Sequence, residues 1–241
     1  MVMHNKILRP AIAMIELIFA LVVMGIVMMS APMLISTTAQ STNVALQQEG
    51  INEAASRVNM IMGYAWDENN VDTTYRPPIL NVTNGDSAFN KVGSTERRIG
   101  IPLESKRTFI RSDTNTTSNL NASTLQSDSG DSDDIDDFTG NISLDLIPEA
   151  NDNNDIDYVE KTTVNINTVV NYSNDSVTGG YNQSSINYTP FSSASPTTNI
   201  KSIIVTLTST DTTNADVLGK TIILRAFSCN IGGYTFEEKG F

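Results

Sequence analysis

The densest group of side chains that could do chemistry is an acidic segment in the middle of the chain. Six aspartates fall within residues 128–137, and the candidate metal ligands among them are Asp131, Asp133, Asp134, Asp136 and Asp137. Closely spaced carboxylates repel one another, and a hard cation such as Ca²⁺ relieves that repulsion through oxygen ligands. The spacing does not fit an EF-hand, because no glycine stands at the turn position and no glutamate closes the loop. A solvated acidic loop is therefore the favoured interpretation, with calcium binding as the alternative.

A second chemically distinctive residue is Glu16, the single charged residue in the apolar run from Ile12 to Ile35. A carboxylate inside a membrane is costly, and such residues usually face a partner instead of lipid. Glu16 is therefore a candidate for contact with a cation on another subunit. The alternative is an acid that the membrane interface tolerates.

Few residues remain for catalysis. His4 is the only histidine and Cys229 the only cysteine, so no internal disulfide can form, and we predict that Cys229 is a small buried strand residue. The acids cluster on a loop without the pattern of a glycosidase carboxylate pair. The formal net charge of -12 argues against nucleic acid as a partner. No enzymatic activity and no cofactor other than calcium is expected.

A long N-terminal helix must position Glu16. Residues 17–35 carry no charge, and a helix of about 20 apolar residues spans the hydrocarbon core of a membrane. We place the transmembrane segment at about 14–35, and Pro32 should bend or loosen the helix there. Lys6 and Arg9 precede the span, which predicts a cytoplasmic N-terminus and an external head.

The helical pattern continues beyond the membrane segment. An apolar stripe predicts an amphipathic helix, whose apolar face is made of Val44, Ile51, Ala55, Val58 and Met62. The spacing predicts one helix over residues 12–63, apolar on every face in its first half and amphipathic in its second. The second half should pack on a globular domain.

Residues 64–241 are predicted to form that domain, a β-rich head. The expected strands lie at 108–111, 142–147, 164–172, 200–207 and 221–229. The strand at 164–172 is predicted to be half-buried, with one wet face, because polar neighbours alternate with Val164, Ile166, Thr168, Val170 and Tyr172. The apolar density of 221–229 suggests a central strand. Loops are expected at about 115–140 and 173–198, and the fold class is α+β, with an antiparallel sheet packed on the helix.

One short segment resembles a known family. Residues 11–27 read Ala-Ile-Ala-Met-Ile-Glu-Leu-Ile-Phe-Ala-Leu-Val-Val-Met-Gly-Ile-Val, directly after Pro10. This segment, with Lys6 and Arg9 before it, resembles the N-terminus of type IV prepilins and pseudopilins. Residues 133–138, Asp-Asp-Ile-Asp-Asp-Phe, resemble a motif in minor pilins of the mannose-sensitive haemagglutinin pilus class. That second similarity is short and favours a minor over a major subunit.

The resemblance implies a set of roles for the N-terminal residues. Residues 1–11 would be a leader that prepilin peptidase removes after Ala11, and Ile12 would become a methylated N-terminus. Glu16 would be the family's acid and would pair with the Ile12 amine of a neighbouring subunit. Gly25 would be the family's helix glycine, and Pro32 its helix-bending proline, one residue earlier than usual. The chain departs from the pattern in having Ala11 where glycine is usual and Ile12 where phenylalanine is usual.

The function implied is structural. The chain would be a minor pilin or pseudopilin of a type IV pilus or type II secretion filament, held in the bacterial inner membrane before assembly. Its partners would be prepilin peptidase, other pilin subunits and the inner-membrane assembly platform. His4 would be lost with the leader, which excludes a histidine-based site in the mature protein. The alternatives are a membrane-anchored, adhesin-like binding module that does not polymerise, and an ordinary signal peptide before a secreted domain.

Overall fold

A computed structural model describes most of the chain. It covers residues 8–72, 76–102, 104–105, 107–111, 120–126, 130–145, 163–209, 218 and 221–233. The chain divides into two compact units, Met1–Gln48 and Glu49–Phe241. The first contains most of a long helix, and the second contains the end of that helix and the head.

Helix α1 spans Leu8–Met62 and continues through Pro32. In the part of the chain that the structure describes, it is the one helix that is long and apolar enough to cross a membrane. None of its most apolar stretch is buried. Large side chains such as Phe19 and Met29 are 71% and 84% exposed. Apolar surface of this extent on every face requires a membrane or a partner to cover it.

The last turns of α1 belong to the head and supply one face of its core. Ala54, Val58 and Ile61 are buried there, at helical spacings of four and three. The predicted stripe is therefore correct at Val58 but wrong at Val44 and Met62, which are 63% and 48% exposed. Neighbouring apolar residues such as Ile61 and Met62 satisfy the same pattern, so apolarity alone does not fix the phase of the face.

The head contains a four-strand antiparallel sheet. Strand β1 spans Gly140–Asp145, β2 Thr163–Ser173, β3 Ile200–Ser209 and β4 Ile222–Cys229. The strands lie side by side in chain order. Ile166 pairs with Leu207 across β2 and β3, and Val205 pairs with Leu224 across β3 and β4. The α+β class expected from the sequence is confirmed.

The alternation predicted for β2 is also confirmed. Its buried residues include the five predicted ones, Val164, Ile166, Thr168, Val170 and Tyr172. All of them except Thr168 belong, with the end of α1, to one hydrophobic core that also contains Trp66, Leu80 and Ile135. The sheet thus buries one face against the helix and leaves the other wet.

Two strand predictions are wrong. Among the described strands β4 is an edge strand, not a central one, and its Ile223 and Phe227 are 46% and 44% exposed. Apolar residues on the outer face of β4 account for its dense composition. Residues 108–111 form no strand. Cys229, predicted to be buried, is partly buried at the end of β4.

The described parts of the long connections have little regular structure. Residues 120–126, 130–139 and 174–199 contain no helix and no strand. Two short 3₁₀ helices, Glu68–Asn70 and Ser87–Phe89, lie between α1 and the sheet in sequence. The first of these follows directly on Trp66 and Asp67, which both contribute to the site described below.

Candidate functional site

The N-terminal residues singled out by the sequence all lie on α1. Ala11 and Ile12 are in its first turns, and Pro32 lies inside it. Glu16 is exposed on the helix surface. A Cβ placed on Gly25 would meet no atom within 4 Å, so packing within this chain does not require a glycine there. Glu16 and Gly25 are thus both open to contact from outside the chain.

The acidic segment has a different arrangement from the one expected. Asp134 and Asp136 are buried, each 1% exposed, whereas Asp131 is exposed and Asp133 and Asp137 are half-buried. The interpretation as a solvated loop is therefore wrong for Asp134 and Asp136. Buried carboxylates need compensating partners, because an isolated charge is very costly in an apolar interior.

The compensating cation is Lys201, whose side chain is fully buried. Its Nζ atom contacts Asp136 Oδ1, and lies 3.4 Å from Asp67 Oδ2 and 3.9 Å from Asp134 Oδ2. We call these four residues the Lys201 cluster. It joins β3, the residue before the first 3₁₀ helix, and the acidic segment, which are far apart in sequence.

Strand geometry explains why this lysine points inward. Lys201 shares the buried face of β3 with Ile203, Val205 and Leu207, because alternate residues of a strand face the same side. The sequence analysis missed Lys201 and Asp67. A lysine in phase with an apolar alternation is the signal that could have identified Lys201 as a buried cation.

Asp67 is fixed by hydrogen bonds on both carboxylate oxygens. Its Oδ1 accepts from the Asn69 backbone N–H at 3.2 Å and so caps the first 3₁₀ helix. Its Oδ2 accepts from the backbone N–H and the hydroxyl of Ser123, each at 3.0 Å. Tyr172 donates its hydroxyl to the Ser123 carbonyl at 2.7 Å, which closes this part of the network.

The aspartates of the acidic segment accept hydrogen bonds from nearby backbone N–H groups. Asp136 Oδ2 accepts from the Gln126 N–H at 2.6 Å, and Asp134 Oδ1 accepts from the Asp136 N–H at 2.8 Å. Asp137 Oδ2 accepts from the N–H groups of Asp133 and Asp134, both at 3.1 Å. These bonds hold the two buried carboxyl groups toward Lys201.

Aromatic rings line the remaining sides of the ammonium group. Lys201 Nζ lies 4.9 Å from the centre of the Trp66 ring and 5.3 Å from that of Tyr172. The two rings meet edge to face, with centroids 6.1 Å apart. The Trp66 Nε1–H donates to the Ser228 carbonyl at 3.2 Å, which fixes the indole against β4. A cation at this range from an aromatic face gains about 0.5–2 kcal/mol.

The cluster holds more carboxyl groups than cations. Burial raises the pKa of Asp134 to about 7, and the negative charge of Asp136 adds to this increase while Lys201 opposes it. Asp134 can therefore hold a proton near neutral pH. Burial, with the nearby charge of Asp67, also raises the pKa of Tyr172, which stays protonated as a hydrogen-bond donor.

Three of the five carboxylates proposed as calcium ligands are thus engaged with other groups. Asp134 and Asp136 contact Lys201 and backbone N–H groups, and Asp137 accepts from backbone N–H groups. Within the described ranges, no group of three or more acidic, histidine or cysteine side chains is arranged to hold a metal ion.

The class of architecture follows from these observations. A long apolar N-terminal helix, packed through its end on a four-strand antiparallel sheet, is a pilin-like arrangement. Comparison with protein-family models, curated proteins and solved structures yields no match for this chain.

Proposed function

We propose that this protein is a structural subunit, a minor pilin or pseudopilin, of a type IV pilus or a type II secretion filament. The observation that supports the proposal most strongly is α1. Its apolar stretch is exposed on all faces and carries a single acid, Glu16, while its end is anchored in the head. Such a helix can first hold the protein in a membrane and then pack against copies of itself.

Glu16 would set the register between helices in the filament. A carboxylate in an apolar environment gains most from a fixed cation. The amine of Ile12 on a neighbouring subunit would supply this cation once the leader has been removed. One such pair per subunit would define the axial step from one helix to the next.

Processing and location follow from the same proposal. Prepilin peptidase would cut after Ala11 on the cytoplasmic side, and the inner-membrane assembly platform would draw the subunit into the filament. The acidic head would face the periplasm or the cell exterior. We propose no catalytic role toward an external substrate, since Asp67, Asp134 and Asp136 of the head are buried around Lys201.

A membrane-anchored, adhesin-like binding module is the second candidate, and one feature of the head favours it. A cavity of about 340 Å³ is lined by Phe89, Tyr181, Tyr188 and Phe227, among others. Concave apolar surfaces of this size are common ligand sites. This module would share the anchor but would not polymerise.

The state of the N-terminus distinguishes the two candidates. Mass spectrometry of the N-terminal peptide, on protein from the native membrane fraction, should show a methylated Ile12 if the chain is a filament subunit. An intact leader would contradict the subunit and leave the anchored module. A cut beyond Ala31 would contradict both and indicate a secreted domain.

A further inference from the structure

The Lys201 cluster brings an amine and a carboxyl group into contact in the core of the head. The side chains of Lys201 and Asp136 are 0% and 2% exposed. Trp66 and Tyr172 cover the nitrogen on two sides. Nothing in the filament function uses this pair, and replacing buried ion pairs with apolar residues is often neutral or even stabilising. The arrangement therefore calls for another explanation.

We propose that Lys201 and Asp136 condense into an intramolecular amide bond, an isopeptide, with Asp134 as the proton-transfer group. The proposal is independent of whether the protein assembles into filaments. It concerns the folded head alone, and it predicts a covalent link that a denaturing measurement can detect.

Each oxygen of the Asp136 carboxyl group has a separate role in this reaction. Oδ2 accepts the Gln126 N–H at 2.6 Å, which withdraws electron density and stabilises negative charge on that oxygen. Oδ2 would remain as the amide oxygen. Oδ1 contacts Lys201 Nζ and would be the oxygen that leaves.

The condensation balances without any further reactant. Lys201 transfers one ammonium proton to Asp134, whose Oδ2 lies 3.9 Å from Nζ. The free amine then attacks Cγ of Asp136, and a C–N bond forms. Asp134 relays its proton, and then a second one from the nitrogen, to Oδ1. The bond from Cγ to Oδ1 then breaks and Oδ1 leaves as water. The amide nitrogen keeps one hydrogen, and the opposite charges of Lys201 and Asp136 are lost together.

The environment favours this reaction in two ways. In water, hydration stabilises the separate ammonium and carboxylate, but burial removes that hydration at a cost of several kcal/mol per ion. Holding the two groups in contact also replaces a bimolecular encounter, an effect that reaches about 10⁵–10⁸ M in effective concentration. The raised pKa of Asp134, about 7, suits a group that must accept and release a proton near neutral pH.

The bond would link two parts of the head that are distant in the chain. Lys201 and Asp136 are 65 residues apart, so the amide would connect β3 to the acidic segment. The chain has a single cysteine and cannot form an internal disulfide. An isopeptide would be a covalent constraint that needs no oxidant.

Peptide mapping of the full chain, purified in detergent and then denatured and digested with trypsin, tests the proposal. An amide on Lys201 blocks cleavage there, so we expect a branched product of residues 112–161 and 162–220, lighter than the two peptides by one water. Its fragment ions should place the branch at Asp136. Free peptides 112–161 and 162–201 in full yield would overturn the proposal, and a branch at another aspartate would overturn the assignment to Asp136.

Two matched variants test the role of Asp134. General acid–base catalysis contributes about 10²–10⁴-fold, so Asp134→Asn should slow bond formation by at least about 100-fold. Asp131→Asn makes the same change at an exposed position of the same segment and should be linked like the wild type. Trp66 fluorescence verifies that each variant is folded. A folded Asp134→Asn protein linked as fast as the wild type would overturn the role of Asp134.

Discussion

The Lys201 ammonium lies 4.9 Å from the centre of the Trp66 ring, and both side chains are buried in the head. Trp66 lies in the segment just after α1, which ends at Met62, and Lys201 is the second residue of β3, so this contact connects that segment to the sheet. Trp66 is also the only tryptophan of the chain. Its fluorescence therefore reports directly on the environment of the Lys201 cluster.

Removal of the buried cation should destabilise the head strongly. We expect Lys201→Met to lower the free energy of unfolding by about 3–5 kcal/mol, because the buried carboxyl groups around it lose their cation partner and, with it, any amide link to Asp136. Urea unfolding of the full chain in detergent, followed by Trp66 fluorescence, measures the change. Arg225→Met, on the exposed face of β4, is the matched control and should lie within about 0.5 kcal/mol of the wild type. Equal stability of the two variants would show that the cluster contributes little.

The pH dependence of stability should reveal Asp134. Its pKa is about 7 in the folded head and has the ordinary value of 3.8 when unfolded. Between these values the folded state keeps a proton that the unfolded chain releases. The free energy of unfolding of the wild type should therefore fall relative to Asp134→Asn as the pH rises from about 4 to about 7, by about 1.4 kcal/mol per unit of pKa difference.

Burial is the largest cause of this increase, so the direction holds whether or not Lys201 and Asp136 are joined. Asp131→Asn, which removes an exposed acid from the same segment, should keep the pH dependence of the wild type. A constant difference between the wild type and Asp134→Asn from pH 4 to 8, in the same unfolding assay, would contradict the assignment.

The phase of the buried face of α1 can be tested with two adjacent residues. Ile61 is fully buried and Met62 is 48% exposed. Ile61→Ala should cost about 2–5 kcal/mol, because it removes buried methyl groups and leaves a cavity. Met62→Ala should cost less than about 0.5 kcal/mol. Thermal unfolding of both variants measures the difference, and the reverse order would support the stripe predicted from the sequence.

The sequence predicts the structure well where side-chain burial follows a local period. The alternation in β2 identified all five of its predicted buried residues, because side chains of a strand must alternate between two faces. The class of fold followed from the same reasoning applied to α1 and the strands. Where neighbouring residues are equally apolar, as at Ile61 and Met62, the period leaves the phase open.

The Lys201 cluster lies beyond such reasoning, because its contacts are non-local. Lys201 is 65 residues from Asp136 and 134 from Asp67. A run of aspartates usually indicates a solvated segment, and nothing local shows that two of them turn inward. The sequence signal that could have been noticed is a lysine on the apolar face of a strand, Lys201, together with the run of acids in the acidic segment.

The most direct test of the filament proposal is incorporation of Glu16→Ala into filaments sheared or purified from cells that also make the wild-type machinery. Because the carboxylate would pair with the Ile12 amine of a neighbour, we expect the variant to reach the membrane at the wild-type level and to be at least about tenfold depleted from filaments. Glu49→Ala, an exposed acid farther along α1, should assemble normally. Glu16→Ala filaments with the wild-type content of this subunit would contradict the proposal.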